Sequence, residues 1–527
     1  MPILKKPILT KPMSNKAALY HERTKHRFTG YAKGPDTLDW DLQPNPFRSF
    51  EGAARADLPL APEDLPATPA LTRESLGALL HLSMGLSAWK QFGPDRWALR
   101  CNPSSGNLHP TEAYVLAEGV DGLDDGLFHY LPRDHALEQR RRDDSGQKSD
   151  TPCLWIGLSS IHWREAWKYG ERAFRYCQLD LGHALGAFSY AAAALGWRAQ
   201  LVEGLDSAQI SALLGLDRAE DFGRAEKEDP DALIQIFPTV HGDAVRAPAL
   251  KAGVWTGQAN LLDRWPMYRW PVIGEVAEAT LGSVAAEPVA PSTLAQSESA
   301  LPAELILQRR SAQHFDARHV MPAEEFFAIV ESVTARPRAP WTVWNFAPRV
   351  HPILFVHRVA GVEPGLYALP RGADSLALLR QSLDPDFVWS RVAGAPETLP
   401  LYLLKIGDAR GAARRLFCNQ AIASDCCFGM AMLAEFDAVE QNPWSYRGLH
   451  WEAGLIGQAL YLEAERYGLR GTGVGCFFDD ETHEFIGLKS SALQTVYHFT
   501  LGGPLTDSRI AIEPAYPDKQ RAKAKTP

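Results

Sequence analysis

One register offset constrains this chain more than its composition does. Asp180-Leu181-Gly182 is echoed by Glu452-Ala453-Gly454, Leu195-Gly196-Trp197-Arg198 by Tyr467-Gly468-Leu469-Arg470, and Leu214-Gly215-Leu216 by Ile486-Gly487-Leu488. Asp180 and Glu452, Gly196 and Gly468, and Gly215 and Gly487 all stand 272 positions apart. His109-Pro110 and Gly126-Leu127-Phe128 find looser echoes in His351-Pro352 and Gly365-Leu366-Tyr367. Self-similarity held in one register implies two copies of one unit. The length of 527 residues leaves room for two to four domains, at about 150 residues each. We read an N-terminal arm over 1–66, one α+β domain over 67–250, a linking and wrapping segment over 251–302, a second α+β domain over 303–512, and a basic tail over 513–527.

Local signals fill in this outline. The arm is polar and proline-dotted, with Tyr20, Tyr31, Trp40, Phe47 and Phe50 in no clear period. Thr72 reads as a helix N-cap with Glu74 in the first turn. Leu76, Leu79, Leu80 and Met84 behind it follow the helical period. Trp167 to Leu195 reads as one central helix, apolar almost all round and hence buried. Gly182 and Gly186 on it would let a second helix approach closely. Residues 283–302 are rich in Pro, Ala and Ser, as linkers are. Pro322 opens a helix carrying Phe326, Phe327, Ile329 and Val330. Lys519, Arg521, Lys523 and Lys525 form a tail expected to be disordered.

Charge and composition exclude several function classes. A net charge of −9 argues against a nucleic-acid partner, which would want a basic face. No uncharged apolar run reaches the roughly 18 to 20 residues that a membrane span needs. Lys5, Lys6 and Lys11 have no apolar run behind them, so they do not read as a secretory signal. The seven cysteines contain no Cys-x-x-Cys pair, which suggests a reducing, cytoplasmic setting and no structural metal. His21 and His26 lack the helical spacing of a metal pair and read as surface residues.

Two stretches carry candidate chemistry. Asn102-Pro103-Ser104-Ser105-Gly106-Asn107-Leu108-His109-Pro110 concentrates hydroxyl and amide groups around a glycine, just before a strand at Ala113, Val115 and Leu116. Such residues grip a polar ring at its edge without adding charge; they equally make an ordinary turn. Arg309-Arg310-Ser311-Ala312-Gln313 puts two guanidinium forks and a hydroxyl together. That set suits a phosphate group, or a solvated basic turn.

Arg309-Arg310-Ser311, the Pro103-to-Pro110 loop, and Gly468-Leu469-Arg470-Gly471-Thr472-Gly473-Val474-Gly475-Cys476-Phe477 followed by Ile486-Gly487-Leu488 together resemble the flavin-dependent nitroreductase superfamily. The first copy also resembles the SagB/ThcOx-type azoline dehydrogenases, through Tyr20-His21-Glu22-x-Thr24-Lys25, the 102–110 loop and Trp167-Lys168-Tyr169-Gly170-Glu171-Arg172. The resemblance implies two tandem nitroreductase-like domains forming a pseudo-dimer. Each would be an antiparallel-rich mixed sheet flanked by helices, with a long buried central helix. It implies FMN between the domains, gripped by Arg309, Arg310, Ser311 and Gln313 and by Gly471, Thr472, Gly473, Val474 and Gly475. Pro103, Ser104, Ser105 and Asn107 would hold it from the other side, and Arg509 sits where the family places a further phosphate-binding cation.

The copies differ in complementary ways. The first has no arginine pair in register, since Arg48-Ser49 falls out of step, and the second has Asn345-Phe346-Ala347-Pro348-Arg349 where the paired serines would stand. One FMN per chain follows. Lys168 and Tyr169 are the proton acceptors implied by the resemblance, with Arg172 and Arg175 as cations that would lower a pKa. Trp163, Trp167 and Trp444 are candidate pocket walls. A heterocyclic, small-molecule or peptide-derived substrate, with FMN N5 as hydride acceptor, is the expected chemistry. An NAD(P)H-dependent nitro- or quinone reductase and a non-catalytic flavin-binding partner are the alternatives. A higher oligomer remains open.

Overall fold

The computed structural model describes residues 15–144, 148–239, 244–283, 300–344 and 346–523. Two antiparallel sheets dominate it. In the first, Thr111–Glu118 lies between Gly126–Leu131 and Cys153–Ser160, and the order continues through Asp229–Phe237 to Arg198–Leu201. In the second, Val350–Val356 lies between Gly365–Ala368 and Phe428–Glu435, continuing through Leu493–Gly502 to Arg470–Val474. The strand order is the same in both. Apart from the edge strands Arg198–Leu201 and Arg470–Val474, these strands are buried along nearly their whole length, as the continuous apolar runs in Leu154–Leu158 and Met430–Ala434 require. The architecture is α+β, as expected.

Each sheet is backed by one long helix, Ala173–Ala194 and Ser445–Glu465. The helices cross where Gly182 meets Gly454: a Cβ on Gly182 would stand 2.8 Å from the Gly454 Cα and would strike the Trp451 carbonyl. The halves therefore share one apolar core, from Ala17 through Leu179 and Leu455 to Leu501. The Trp167–Leu195 block expected as a single helix is broken. His162–Tyr169 is a separate helix, and Gly170 turns the chain at φ +55 before Ala173. The cause is the arm, whose Lys33 carbonyl accepts from Glu171 N at 2.9 Å and occupies the space of any Gly170 side chain.

The arm crosses to the second half. Asn15 Nδ2 donates to Val439 O at 2.7 Å and Asp479 N to His26 O at 3.0 Å. His21 and His26 are consequently buried, at 0% and 8% exposed, contrary to the surface position expected from spacing alone. The Thr72 cap forms, with its hydroxyl accepting from Ser75 N. Part of the linking segment is a packed helix, Pro271–Ala279, with Val272, Ile273 and Val276 buried. The Pro/Ala/Ser stretch at 284–299 and Asn345 lie outside the described residues.

The tail expected to be disordered is ordered over its described part. Ala511–Glu513 pairs with Leu86–Phe92, Tyr516 donates to Pro132 O at 2.7 Å, and Pro517–Lys523 is helical. Its aromatic anchor outweighs the basic residues that suggested disorder. Residues 524–527, with Lys525, lie outside the described residues. Among the described residues no helix is long and apolar enough to cross a membrane.

Candidate active site

A cavity of about 360 Å³ opens where the 102–110 loop of the first half meets the second half. Pro103 leads into a single 3-10 turn, Ser105–Asn107, with Gly106 at φ +58 and Asn107 at φ +60. Ser105 donates to Asp180 through its N–H at 3.0 Å and its hydroxyl at 2.9 Å, and the Ser104 hydroxyl bonds the same carboxyl. Ser104 Oγ also accepts from His109 N at 2.8 Å, and Asn107 Nδ2 donates to Ala98 O at 2.8 Å. The serines thus brace the loop on the central helix. They do not stand free as the ring-edge grip expected of them. Pro103, Ser104, Ser105, Gly106 and Asn107 all line the cavity.

The second half supplies the opposite wall. Arg309 reaches across the seam, with Nε donating to Cys101 O at 3.0 Å and Nη2 to Arg100 O at 3.2 Å, over the Tyr461 ring. Its Nη1 is buried without a partner. Arg310 is spent on carbonyls, donating to Leu307 O at 2.8 Å and Arg309 O at 2.7 Å, and on Ser87. Ser311 Oγ lies 3.0 Å from Tyr461 Oη, which accepts from Gly473 N at 2.9 Å. Gln313, Thr472, Val474 and Gly475 line the cavity; Gly471 packs behind it, against Phe499. At Gly473 a Cβ would strike Tyr497 Oη, and at Gly475 the Tyr176 ring, so only glycine lets this strand run so near both rings.

Electrostatically this end is a cluster of cations. Lys90 joins Arg309 and Arg310 in the wall, with Arg470 close behind. Burial pushes the Lys90 and Arg309 pKa values down, with neighbouring arginines adding to the effect, and takes Arg310 down to about 10. Like charges held together in a buried site are costly until an anion joins them. Glu465 is the nearby carboxylate, accepting from Arg310 N at 3.0 Å.

The other end holds the expected proton acceptors. A Cβ on Gly106 would stand 2.6 Å from Tyr169 Oη and 3.1 Å from Lys168 Nζ, so both polar atoms lie directly against the loop. Tyr169 lines the cavity; Lys168 stands just behind, its Nζ 5.0 Å from the Trp40 ring centre. Burial lowers the Lys168 pKa, whereas burial and then Glu165 raise that of Tyr169. Arg172 and Arg175 do not offset this rise, because both are bound to Asp479, at 3.0 and 2.9 Å. That corrects the expectation that they would lower it. Asp180 is buried and pushed up to about 7. Beside it, Glu165 is buried with neither carboxyl oxygen partnered, and burial, then Asp180, raises its pKa.

Some expected residues lie elsewhere. Arg509 is 74% exposed, ion-paired with Asp507 at 2.6 Å in a neighbouring groove, and so lies outside the cavity. Of the tryptophans, Trp163 is bonded to Asp263, Trp167 packs on Trp40 and Trp444 on Trp451; none lines the cavity. Residues the motifs missed do line it: Lys90 and Trp97 from the Leu86–Arg100 hairpin, and Tyr176, Asp180 and His183 from the central helix. The last three were legible as a polar stripe at i, i+4 and i+7 on an otherwise apolar helix.

The counterpart position is built differently. Glu452 stands at the place of Asp180 and accepts from Arg349 N at 2.9 Å, as Asp180 accepts from Ser105 N. Arg371 also binds Glu452 and lies 4.5 Å over the Trp341 ring. Trp344 and Phe346 pack edge to face at 4.7 Å, and Ser189, at the place of Tyr461, bonds Thr342 at 3.0 Å. Aromatic and ion-paired side chains thus surround Glu452, where hydroxyls and backbone N–H surround Asp180.

Residues 66–223 match the model of the Nitroreductase family. Over 136 residues the chain is 26% identical to protein MJ1384 of Methanocaldococcus jannaschii, named as a candidate nitroreductase, covering 24% of this chain and 65% of that one. Over 121 residues it is 34% identical to the trifolitoxin-processing protein TfxF of Rhizobium leguminosarum bv. trifolii, covering 22% of this chain and 42% of that one. The matched stretches thus span less than two thirds of either relative. A crystal structure of a protein from Anabaena variabilis, described as a candidate nitroreductase, superposes with a TM-score of 0.70 at 22% identity, covering 93% of this chain and all of that one. Residues 66–223 are therefore similar to the Nitroreductase family, and the fold of the chain as a whole is nitroreductase-like.

Proposed function

We propose that the chain is an FMN-dependent oxidoreductase of the SagB type, with one cofactor held across the seam of a pseudo-dimer. The observation that carries this reading is the Arg309 guanidinium, which lines a cavity walled by both halves among clustered cations and keeps one buried donor, Nη1, without a partner. Buried charges of this kind are normally paired, and a phosphate dianion would satisfy Arg309 and relieve Lys90. The neutral end, where Gly106, Gly473 and Gly475 let the backbone pack onto Tyr169, Tyr497 and Tyr176, lines the cavity with rings that suit a flat polar ring. The matched strand orders of the two sheets support the pseudo-dimer, and the different side chains around Glu452 support a single site. Seven free cysteines suit a reducing cytoplasm.

When bound, FMN would supply the hydride acceptor. The residues supply the rest. Arg309 and Lys90 bind the anionic end. Asp180 fixes the serine loop, and the loop fixes the position of Lys168 and Tyr169. Lys168 is the proton acceptor, because desolvation moves it toward neutrality. Tyr169 keeps its proton and orients substrate as a hydrogen-bond donor. A peptide-derived heterocycle is the substrate class, which the similarity to a trifolitoxin-processing protein supports.

Anaerobic stopped-flow tests the reading. A thiazoline-containing peptide should bleach the flavin of the loaded protein, and Lys168→Ala should retain flavin but bleach at least about 100-fold more slowly. Bleaching by NADH or NADPH alone would instead assign a nitro- or quinone reductase. Silence with every donor, unchanged in Lys168→Ala, would assign a non-catalytic partner.

A further inference from the structure

Five of the seven cysteines are buried. The two that reach the surface, Cys418 and Cys476, are two whose thiols meet. Cys476 follows Gly475 and lines the cavity. Cys418 sits in the turn after the Arg410–Leu416 helix, at φ +53. The two stretches are tied together: Phe478 N donates to Leu416 O at 2.8 Å, and Gln420 Nε2 to Cys476 O at 3.3 Å.

The surroundings favour a thiolate. His26 bonds the Cys476 sulfur, and its backbone is pinned to Asp479. Arg172 donates to Gly475 O at 3.2 Å and lies over the Phe477 ring, so its charge stands beside the sulfur. Asp479, the carboxylate on this side, is taken up by Arg172 and Arg175. The phenols of Tyr31 and Tyr176 complete the shell. The hydrogen bond from Cys418, then His26 and Arg172, pushes the Cys476 thiol down, and the same contact pushes Cys418 up. A partly exposed thiol pushed toward its thiolate, next to a second thiol, is the arrangement that reacts reversibly with oxidants.

We propose that Cys476 is a peroxide-reactive nucleophile at the cavity edge and that Cys418 is its resolving thiol. The Cys476 thiolate attacks one oxygen of hydrogen peroxide, the O–O bond breaks, and hydroxide leaves, giving a sulfenic acid. The Cys418 sulfur then attacks that sulfenic sulfur, forming the S–S bond as water leaves with the Cys418 proton. Two electrons pass from the dithiol to the peroxide, which ends as two waters once the hydroxide takes up the proton that Cys476 released on ionising. The reaction uses no flavin, so it stands independently of the proposed cofactor.

The test uses the full, reduced chain with about one equivalent of hydrogen peroxide. Two of the seven thiols should disappear, peptide mapping should find a Cys418–Cys476 disulfide, and dithiothreitol should restore both. Cys418→Ser should stop at a sulfenic acid that dimedone traps on Cys476, and Cys476→Ser should lose no thiol at the same dose. At pH 6, iodoacetamide should alkylate Cys476 about tenfold faster than free cysteine, the gain in thiolate outweighing its lower nucleophilicity. A disulfide elsewhere, equal thiol loss in Cys476→Ser, or alkylation at the rate of free cysteine would overturn the proposal.

Discussion

Tyr169 Oη lies against the α-carbon of Gly106, so close that a Cβ there would stand 2.6 Å from it. Gly106 also holds φ +58, which costs other residues about 1 kcal/mol. Gly106→Ala should therefore destabilise the protein by about 2 kcal/mol and weaken FMN binding about tenfold. Tyr169→Phe in the same chain removes the clashing oxygen and should recover part of both losses. Thermal melts and flavin titrations of the two single variants and the double variant measure this coupling directly.

Arg309 holds its one unpartnered donor at the cationic end. Arg309→Ala should weaken FMN about thirtyfold, near 2 kcal/mol for a lost charge-assisted bond, while riboflavin, which lacks the phosphate, should change less than about twofold. Fluorescence titration with both ligands separates lost charge from a damaged fold. An equal loss for both would place the phosphate elsewhere.

Asp180 is raised from the 3.8 of an ordinary carboxyl to about 7 in the fold. A raised carboxyl gives stability that is fully present below its unfolded value and is lost as pH rises through the folded one. Relative to Asp180→Asn, the flavin-free native chain should therefore lose stability between about pH 4 and pH 7, by at most about 1.4 kcal/mol per unit. Denaturant unfolding at stepped pH tests this. No relative change over the same range would mean that the serines hold Asp180 ionised.

Much of this was readable beforehand, and the reasons for the rest are local. The common offset exposed the two sheets and the two long helices, because glycines at the crossing and at turns tolerate little change of spacing. Thr72 formed its cap because capping is decided within four residues. The break at Gly170 was hidden because it depends on Lys33, far away in sequence. The tail looked disordered because its charge is visible and the pocket for Tyr516 is not. Lys90 and Trp97 were missed because a hairpin with no motif carries them. His21 and His26 were misplaced because their burial comes from contact with the second half.

At the helix crossing, a Cβ on Gly454 would stand 2.7 Å from the Gly182 Cα and strike the Leu179 carbonyl. Gly454→Ala should cost about 3 kcal/mol, since neither backbone can yield. Gly274→Ala, inside the Pro271–Ala279 helix with open space around it, should stabilise the chain by about 0.5–1 kcal/mol. Parallel denaturant titrations of the two variants give both numbers.

The central claim is that one seam binds the cofactor and that its counterpart, where Trp341, Arg371 and Glu452 stand, does not. The flavin-to-chain ratio of purified, FMN-saturated protein, from flavin absorbance after denaturation and amino-acid analysis, tests it most directly. The account predicts a ratio near one, falling toward zero in Arg309→Ala at limiting FMN. A ratio near two would contradict it.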